Sequence, residues 1–133
     1  MKILVTGGRG FIGSHFVEQA LQRDWSIIDV DKLTYAAHES LPWDNHKNYT
    51  LIKADISEID HLPSCDILIN FAAESHVDNS ITSSNAFVKS NILGVHNLLE
   101  LIRGKASYDR PLFFHISTDE VYGDRLTGEF TEL

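Results

Sequence analysis

The sequence predicts an α/β fold built on a doubly wound parallel sheet. Short apolar runs alternate with amphipathic stretches along all 133 residues, a glycine-rich turn follows the first apolar run, and an acidic residue ends the second. Alternation of strands and helices yields parallel strands with helices packed on both faces of the sheet. The pattern therefore favours one layered domain, and the elements below are assigned from it in chain order.

Hydrophobic periodicity predicts five strands and two helices. The strands are expected at residues 3–6, 26–30, 51–53, 66–71 and 112–117. The fourth run is almost entirely apolar, as expected for a strand that is covered on both faces. Helices are expected at 11–23 and 84–103, because apolar residues recur there at helical spacing and Gly104 provides a stop signal.

The first strand leads directly into three glycines with the spacing Gly-x-x-Gly-x-x-Gly. Gly7 permits a sharp turn, Gly10 lets the backbone approach a pyrophosphate, and Gly13 lets the next helix pack closely on the strand. The N-terminus of that helix then faces the phosphates. With Asp31 at the end of the second strand, the pattern predicts a dinucleotide site in a Rossmann-type domain spanning 1–133. A tight turn without a ligand is the alternative.

The cofactor is predicted to be NAD. A carboxylate at Asp31 accepts hydrogen bonds from ribose hydroxyls and repels the 2′-phosphate of NADP. Asp29 lies on the same side of the strand, but Asp31 is nearer the carboxyl end. Arg9 and Lys32 count against the assignment, since either cation could accommodate a 2′-phosphate.

Composition excludes several other classes of function. A net charge of -8 argues against non-specific nucleic-acid binding. Cys65 is the only cysteine, which excludes an internal disulfide, and no histidine or cysteine cluster predicts a metal site. The sequence shows neither a signal peptide nor an apolar run of membrane-spanning length, so we expect a cytoplasmic protein without a membrane partner.

Two further segments follow the carboxyl ends of the fourth and fifth strands, where open sheets bind ligands. The small side chains of Ala72 and Ala73 would let a cofactor lie against the backbone. Thr118, Asp119 and Glu120 place a hydroxyl and two carboxylates nearby, and paired carboxylates can divide general acid and general base work. From the residues alone, a helix cap or a solvated loop is an equally open interpretation.

Four segments resemble the dTDP-glucose 4,6-dehydratase family, a group of extended short-chain dehydrogenases/reductases. They read GGRGFIG at 7–13, DKLTYA at 31–36, FAAESHVD at 71–78 and ISTDEVYG at 116–123. The first is shared by many relatives, whereas the second and the fourth are more specific to nucleotide-glucose dehydratases. The resemblance runs the length of the chain but covers only the cofactor-binding part of such an enzyme.

The resemblance implies a lyase (hydro-lyase) of nucleotide-sugar metabolism that converts dTDP-glucose to dTDP-4-keto-6-deoxyglucose. NAD would take hydride from C4, water would leave across C5 and C6, and the hydride would return to C6. In this scheme Thr118 bonds to the C4 oxygen, Asp119 protonates the departing C6 hydroxyl, and Glu120 removes the C5 proton.

The resemblance also implies the cofactor contacts. Asp55 and Ile56 would hold adenine, and residues 31–34 would surround the adenosine ribose and the nearby phosphate. The full expected set is Gly7, Gly10, Phe11, Ile12, Gly13, Asp31, Lys32, Leu33, Thr34, Asp55, Ile56, Phe71, Ala72, Ala73, Ser75 and Ser90.

The chain departs from the family pattern at a few peripheral positions. Ala37 and Asn79 stand where a glycine and an arginine are usual, and Ser84 stands where a proline is common. None of these changes alters the expected cofactor site.

The more serious departure is that no Tyr-x-x-x-Lys pair follows the Thr-Asp-Glu segment. The only match to that spacing, Tyr49 to Lys53, comes early and runs into the third predicted strand. We therefore expect an incomplete domain that stops after the fifth strand, without a substrate domain. It would be inactive alone, and the full-length enzyme is expected to be a homodimer. A fragment of a related sugar-nucleotide epimerase, which would not need Asp119 and Glu120, and a non-catalytic NAD-binding module are the alternatives.

Overall fold

A computed structural model describes residues 1–131 and contains a five-stranded, fully parallel sheet. Its strands are β1 (Lys2–Thr6), β2 (Ser26–Asp31), β3 (Tyr49–Lys53), β4 (Ile67–Asn70) and β5 (Leu112–His115). The spatial order is β3-β2-β1-β4-β5, and each neighbouring pair is parallel. This is the order of the first five strands of a Rossmann fold, so the predicted fold class is confirmed.

Helices connect these strands on both faces of the sheet. They are α1 (Phe11–Leu21), α2 (Val77–Thr82), α3 (Asn85–Phe87) and α4 (Val95–Arg103), with a π-helical segment at Val88–Gly94 and 3-10 turns at Ser107–Asp109 and Asp119–Tyr122. The stretch from α3 to α4 is one continuous helical run, here called the crossover helix (residues 85–103). None of the helices in the described part of the chain has the length and apolar character needed to traverse a bilayer.

The element boundaries differ modestly from the predicted ones. β4 and β5 are shorter than expected because their partner strands end: β1 pairs with β4 only as far as Thr6, where the glycine turn begins. In the same way, β5 pairs with β4 only as far as Asn70. The third strand begins at Tyr49, two residues earlier than expected, since Tyr49 pairs with Ile27 of β2. The short helix α2 was not predicted.

Side chains of β1 alternate between two hydrophobic cores. Ile3 and Val5 pack with Val17 of α1 on one face. Leu4 packs with Leu68 of β4 and Leu98 of the crossover helix on the other. Because β1 continues into α1 on the first face and β4 leads to the crossover helix on the second, a crevice opens between the carboxyl ends of β1 and β4.

Candidate functional site

The glycine turn lies at the mouth of this crevice. Gly7 has a φ of +73°, and a Cβ built on it would lie 2.6 Å from the backbone nitrogen of Ala72. A Cβ on Gly13 would overlap the carbonyl oxygen of Gly7. The sharp turn and the close helix packing expected from the sequence are therefore both present. Gly10 differs from these two glycines. A Cβ built on Gly10 would approach only the Gly7 carbonyl oxygen, at 3.4 Å, so there is open space beside the Gly10 backbone.

Asp31 ends β2 beside this turn. Its Oδ2 accepts a hydrogen bond from the Arg9 backbone N–H at 3.0 Å, and its Oδ1 accepts one from the Leu33 N–H at 2.8 Å. Leu33 has a φ of +58°, which turns the chain back toward the carboxylate. Carboxylate oxygens keep further lone pairs after such bonds, so a fixed Asp31 can still accept hydrogen bonds from a pair of hydroxyls.

Asp29 has a different position and a different partner set. It is fully buried; Oδ1 accepts a hydrogen bond from the Gly8 N–H at 2.9 Å and Oδ2 accepts one from the Tyr49 hydroxyl at 2.8 Å. Burial raises the pKa of Asp29 to about 6. A Cβ on Gly8 would lie 2.5 Å from the Asp29 carboxyl, so Gly8 is a glycine because this carboxyl packs under the turn. The packing of Asp29 under the turn was not predicted from the sequence. Its one visible signal there is Gly8, a glycine outside the three-glycine spacing.

Tyr49 and Lys53, the only Tyr-x-x-x-Lys match in the sequence, both lie in β3. The Tyr49 hydroxyl is committed to Asp29, and burial raises the pKa of Tyr49 well above its usual range. Four residues along a strand span about 13 Å, so the two side chains do not meet as they would on a helix.

Asp55 lies just beyond β3 and is almost fully buried. Its Oδ1 accepts hydrogen bonds from the backbone N–H and the hydroxyl of Ser57 at 3.0 and 2.7 Å. Its Oδ2 lies 2.8 Å from the Lys32 ammonium and 3.3 Å from that of Lys89. Burial disfavours the charged carboxylate, but Lys32 and the Ser57 donors outweigh it and hold the pKa of Asp55 well below its usual range.

The same Oδ2 atom has no hydrogen bond of acceptable geometry among the described residues, although both ammonium groups are close. It is therefore a buried acceptor held beside Ile56, which is also buried. An acceptor next to an apolar wall is the kind of surface that suits a flat heterocycle carrying an amino group.

A continuous trough joins these groups along the carboxyl edge of the sheet. It consists of an inner cavity of about 100 Å³, which holds Asp31 and Asp55, and a wider one of about 530 Å³, which reaches Thr118. The two share part of their lining: Gly7, Gly10, Thr34, Ala36, Phe71, Ala73 and Glu74. Every expected cofactor residue except Leu33 lines one of the two cavities, and Leu33 lines a neighbouring cavity beside Arg9.

One wall of the trough is the loop that follows β4. Asn91 of the crossover helix binds this loop twice: its Oδ1 accepts from the Glu74 N–H, and its Nδ2 donates to the Glu74 carbonyl, each at 2.8 Å. Glu74 and Tyr35 also line the trough, and the Tyr35 hydroxyl donates a hydrogen bond to Oε2 of Glu74 at 3.4 Å. Asn91, Glu74 and Tyr35 were not among the sequence-predicted site residues. Glu74 and Tyr35 fall within two of the resembling segments but were given no role, and no motif or spacing marks Asn91.

Thr118, Asp119 and Glu120 lie at the wide end. Thr118 lines the trough, whereas the two carboxylates begin the exposed 3-10 turn at Asp119–Tyr122 and do not line it. The Thr118 hydroxyl beside Glu120 holds the pKa of that carboxyl below its usual range. Thr118 precedes the turn but makes no side-chain cap hydrogen bond, so the capping interpretation lacks its expected contact.

A row of polar side chains supports the floor of the trough. The Thr6 hydroxyl donates to Oδ1 of Asn70, and Nδ2 of Asn70 lies 3.0 Å from Nδ1 of His115. Thr6 and Asn70 are both fully buried. The row joins the carboxyl ends of β1, β4 and β5.

The chain is similar in sequence and in structure to proteins of known families. The family model described as GDP-mannose 4,6 dehydratase matches residues 4–133. The chain belongs to this family. The matched range contains the glycine turn, the trough and the Thr-Asp-Glu segment described above.

Relatives with curated descriptions match the chain over almost all of its length. It is 45% identical to the low-salt glycan biosynthesis protein Agl12 of Haloferax volcanii, over 99% of this chain and 44% of that protein. It is 40% identical to dTDP-glucose 4,6-dehydratase of Haemophilus influenzae, again over 99% and 44%. The chain thus spans less than half the length of these relatives.

Solved structures give the same coverage. A dTDP-glucose 4,6-dehydratase from Streptomyces venezuelae, solved as a double mutant with NAD bound, matches with a TM-score of 0.85 and 36% identity over 99% of this chain and 44% of that one. UDP-N-acetylglucosamine 4-epimerase from Methanobrevibacter ruminantium matches with a TM-score of 0.84 and 28% identity over 98% and 42%. The backbone is thus common to dehydratases and epimerases, and side chains must distinguish them.

Proposed function

We propose that this chain is the NAD-binding part of a dTDP-glucose 4,6-dehydratase, with residues 1–133 forming its Rossmann domain and the sugar-nucleotide domain supplied by the rest of a longer protein. The observation that carries the proposal is the trough, which runs from a fixed ribose-type carboxylate, Asp31, to the hydroxyl of Thr118. The relatives named dTDP-glucose 4,6-dehydratase support the substrate and the reaction.

The residues present fit NAD. The open space beside Gly10 suits a pyrophosphate, because a helix begins at the next residue and directs its free N–H groups and dipole there. Asp31 would accept hydrogen bonds from the ribose hydroxyls. Oδ2 of Asp55, which is ion-paired with Lys32 and Lys89, keeps lone pairs that would accept a hydrogen bond from the adenine amino group, with Ile56 against the ring. Bound there, NAD would supply a reversible hydride acceptor at the wide end.

Three side chains at the wide end would act on the sugar. The Thr118 hydroxyl would donate a hydrogen bond to the C4 oxygen and hold the ring in place. Glu120 would take the proton from C5 as a general base. Asp119 would give a proton to the C6 hydroxyl, so that it departs as water. The exposure of both carboxylates leaves them accessible to a sugar placed over the trough.

For the whole protein we also propose a homodimer and a cytoplasmic location. The homodimer follows from the resemblance to the dehydratase family. The location suits an enzyme that uses NAD and a nucleotide sugar, both of which are cytoplasmic metabolites in this type of chemistry. The tyrosine and lysine that start the oxidation at C4 would come from the longer protein, since Tyr49 and Lys53 are committed to β3.

A 4-epimerase is the second candidate, because the epimerase backbone fits almost as closely as the dehydratase one. The two reactions share oxidation at C4 and differ afterwards. An epimerase returns the hydride to C4 and needs no acid or base at C5 and C6. Asp119 and Glu120 beside Thr118 therefore favour the dehydratase.

The deciding experiment incubates the full-length protein with NAD and dTDP-glucose and analyses the product by mass spectrometry and NMR. Loss of one water with a new C6 methyl group supports the proposal. A product of unchanged mass with inverted C4 identifies an epimerase. If the present chain binds NAD but the full-length protein catalyses neither reaction, the chain is a non-catalytic NAD-binding module and the proposal is wrong.

A further inference from the structure

Two cations flank the carboxylate of Asp31, and the structure pairs each with an acid. The Arg9 guanidinium lies with Nη1 2.6 Å from Oδ1 of Asp44 and Nη2 3.3 Å from Oδ2, a bidentate contact. The Lys32 ammonium lies 2.8 Å from Asp55. Both cations that count against NAD in the sequence are thus already partnered.

Of the two cations, Arg9 is the more deeply buried. The Arg9 side chain is only 3% exposed, whereas that of Lys32 is 48% exposed. Nε of Arg9 also donates to the His38 carbonyl at 2.8 Å. The Asp44 side chain is 32% exposed, so only the cation of this pair is buried. Bidentate arginine–carboxylate contacts are among the strongest charge-assisted contacts in proteins, and this one fixes the direction of the guanidinium plane.

The position of this pair matters because the Arg9 backbone lies next to the carboxylate of Asp31, the proposed ribose ligand. The Arg9 backbone N–H donates to Oδ2 of Asp31, so the side chain starts within one residue of the proposed 2′-hydroxyl site. Its guanidinium nevertheless lines a neighbouring cavity of about 460 Å³ together with Asp44 and Tyr49, and Arg9 lines neither cavity of the trough. Arg9 therefore has the reach to meet a 2′-phosphate but is directed elsewhere.

We propose that Asp44 determines the cofactor preference of this site by holding the Arg9 guanidinium away from the ribose. The inference rests on the proposed NAD site. With Arg9 held by Asp44 and Lys32 held by Asp55, a 2′-phosphate would face the Asp31 carboxylate without a free cation to neutralise it. A 2′-hydroxyl meets an acceptor there and needs no cation. Removal of the charge on Asp44 releases a guanidinium that can turn to a 2′-phosphate.

The experiment is calorimetric titration of the chain with NAD, NADP and two fragments, 5′-AMP and 2′,5′-ADP, which report the adenosine end alone. The variant Asp44→Asn keeps an oxygen acceptor for the Leu41 N–H, which binds Oδ2 of Asp44 at 3.0 Å. It should bind NADP and 2′,5′-ADP about tenfold more tightly than the wild type, the scale of one hydrogen bond to a charged group. NAD affinity should stay within about twofold, since that ligand lacks the phosphate.

Two controls separate this mechanism from a general charge effect. Asp60→Asn removes one negative charge at an exposed acid whose ion pair within the described residues is with the neighbouring His61, and it should leave NADP affinity unchanged. The double variant Asp44→Asn/Arg9→Met should lose the tenfold gain, because the side chain that would bind the phosphate is gone. An equal gain in Asp60→Asn, or a gain that survives Arg9→Met, would overturn the proposal.

The single variant Arg9→Met supplies an independent test if Asp44→Asn does not fold. Because Arg9 does not face the ribose in the wild type, its removal should leave the ratio of NAD to NADP affinity unchanged. A fall in NADP affinity alone would show that Arg9 already serves the phosphate, against the inference. If the wild type binds no NAD, the proposed function fails. If it binds NAD and Asp44→Asn gains nothing for NADP, only the inference fails.

Discussion

The side-chain amide of Asn70 donates a hydrogen bond to Nδ1 of His115 across 3.0 Å, which ties β4 to β5 at the edge where the trough lies. The orientation follows from Thr6, whose hydroxyl donates to the other end of the same amide. Asn70 is therefore satisfied on both sides while fully buried. Such an arrangement specifies how the strand ends align, because each partner fixes one end of the amide.

Asn70→Leu should lower the free energy of unfolding by about 1–3 kcal/mol, because the buried Thr6 hydroxyl loses its acceptor. His115→Ala, at an exposed position of the same row, should cost less than about 1 kcal/mol. Urea unfolding of both variants measures the difference. Equal costs would mean that the row does not act through the buried amide.

Gly10→Ala should abolish NAD binding and leave the fold intact. The added methyl group would meet only the Gly7 oxygen at 3.4 Å, but it would occupy the space that a pyrophosphate needs. Gly104→Ala, at the end of the crossover helix with ordinary contacts of 3.5 Å or more, is the matched control. Calorimetric titration and thermal unfolding check both variants. Normal NAD affinity in Gly10→Ala would place the pyrophosphate elsewhere.

Asp29 should make the stability of the protein depend on pH. Its pKa rises from an ordinary 3.8 to about 6 in the folded state through burial, so the native state holds this proton more tightly than the unfolded state does. The stabilising contribution is complete below pH 3.8 and is lost as the pH rises through about 6.

The measurement is the difference in unfolding free energy between the wild type and Asp29→Asn across that range. The wild type should lose stability relative to the variant, by at most about 3 kcal/mol, as the pH rises. The difference isolates Asp29 from the other acids, whose titration is common to both proteins. Parallel pH profiles would contradict a raised pKa at Asp29.

In the full-length enzyme, Glu120→Gln should still permit oxidation at C4 but block water loss, because a neutral amide cannot remove the C5 proton. Asp119→Asn should slow water loss too, since an amide is too weak an acid for the C6 hydroxyl. C5 hydrogen–deuterium exchange and product formation are followed together, with Glu129→Gln as an exposed control. Wild-type exchange in Glu120→Gln would remove the assigned role from Glu120.

The parts of the fold that sequence reasoning recovered are those with a local signal. The five strands come from apolar runs, and the trough lining comes from motifs that follow strand ends. The lengths of β4 and β5 were overestimated. A strand ends where its neighbour stops pairing with it, and the strand's own sequence does not indicate that point.

The contacts that were not predicted join positions far apart in the chain. Arg9 and Asp44 are 35 residues apart, and Asp44 lies in the irregular connection between β2 and β3. Such a connection has no periodicity from which its path can be inferred. Asn91 was missed for a related reason, since its amide lies within the crossover helix and no spacing distinguishes it from a solvent-facing residue.

The double contact between Asn91 and Glu74 has a mechanical consequence. The Asn91 amide accepts from the backbone N–H of Glu74 and donates to the carbonyl of the same residue, so the two bonds close a ring around one residue and resist both sliding and rotation. The loop after β4, which forms one wall of the trough, is thereby held rigidly against the crossover helix. A displacement of the crossover helix at Asn91 would therefore also displace the backbone at Glu74, which lines both cavities of the trough.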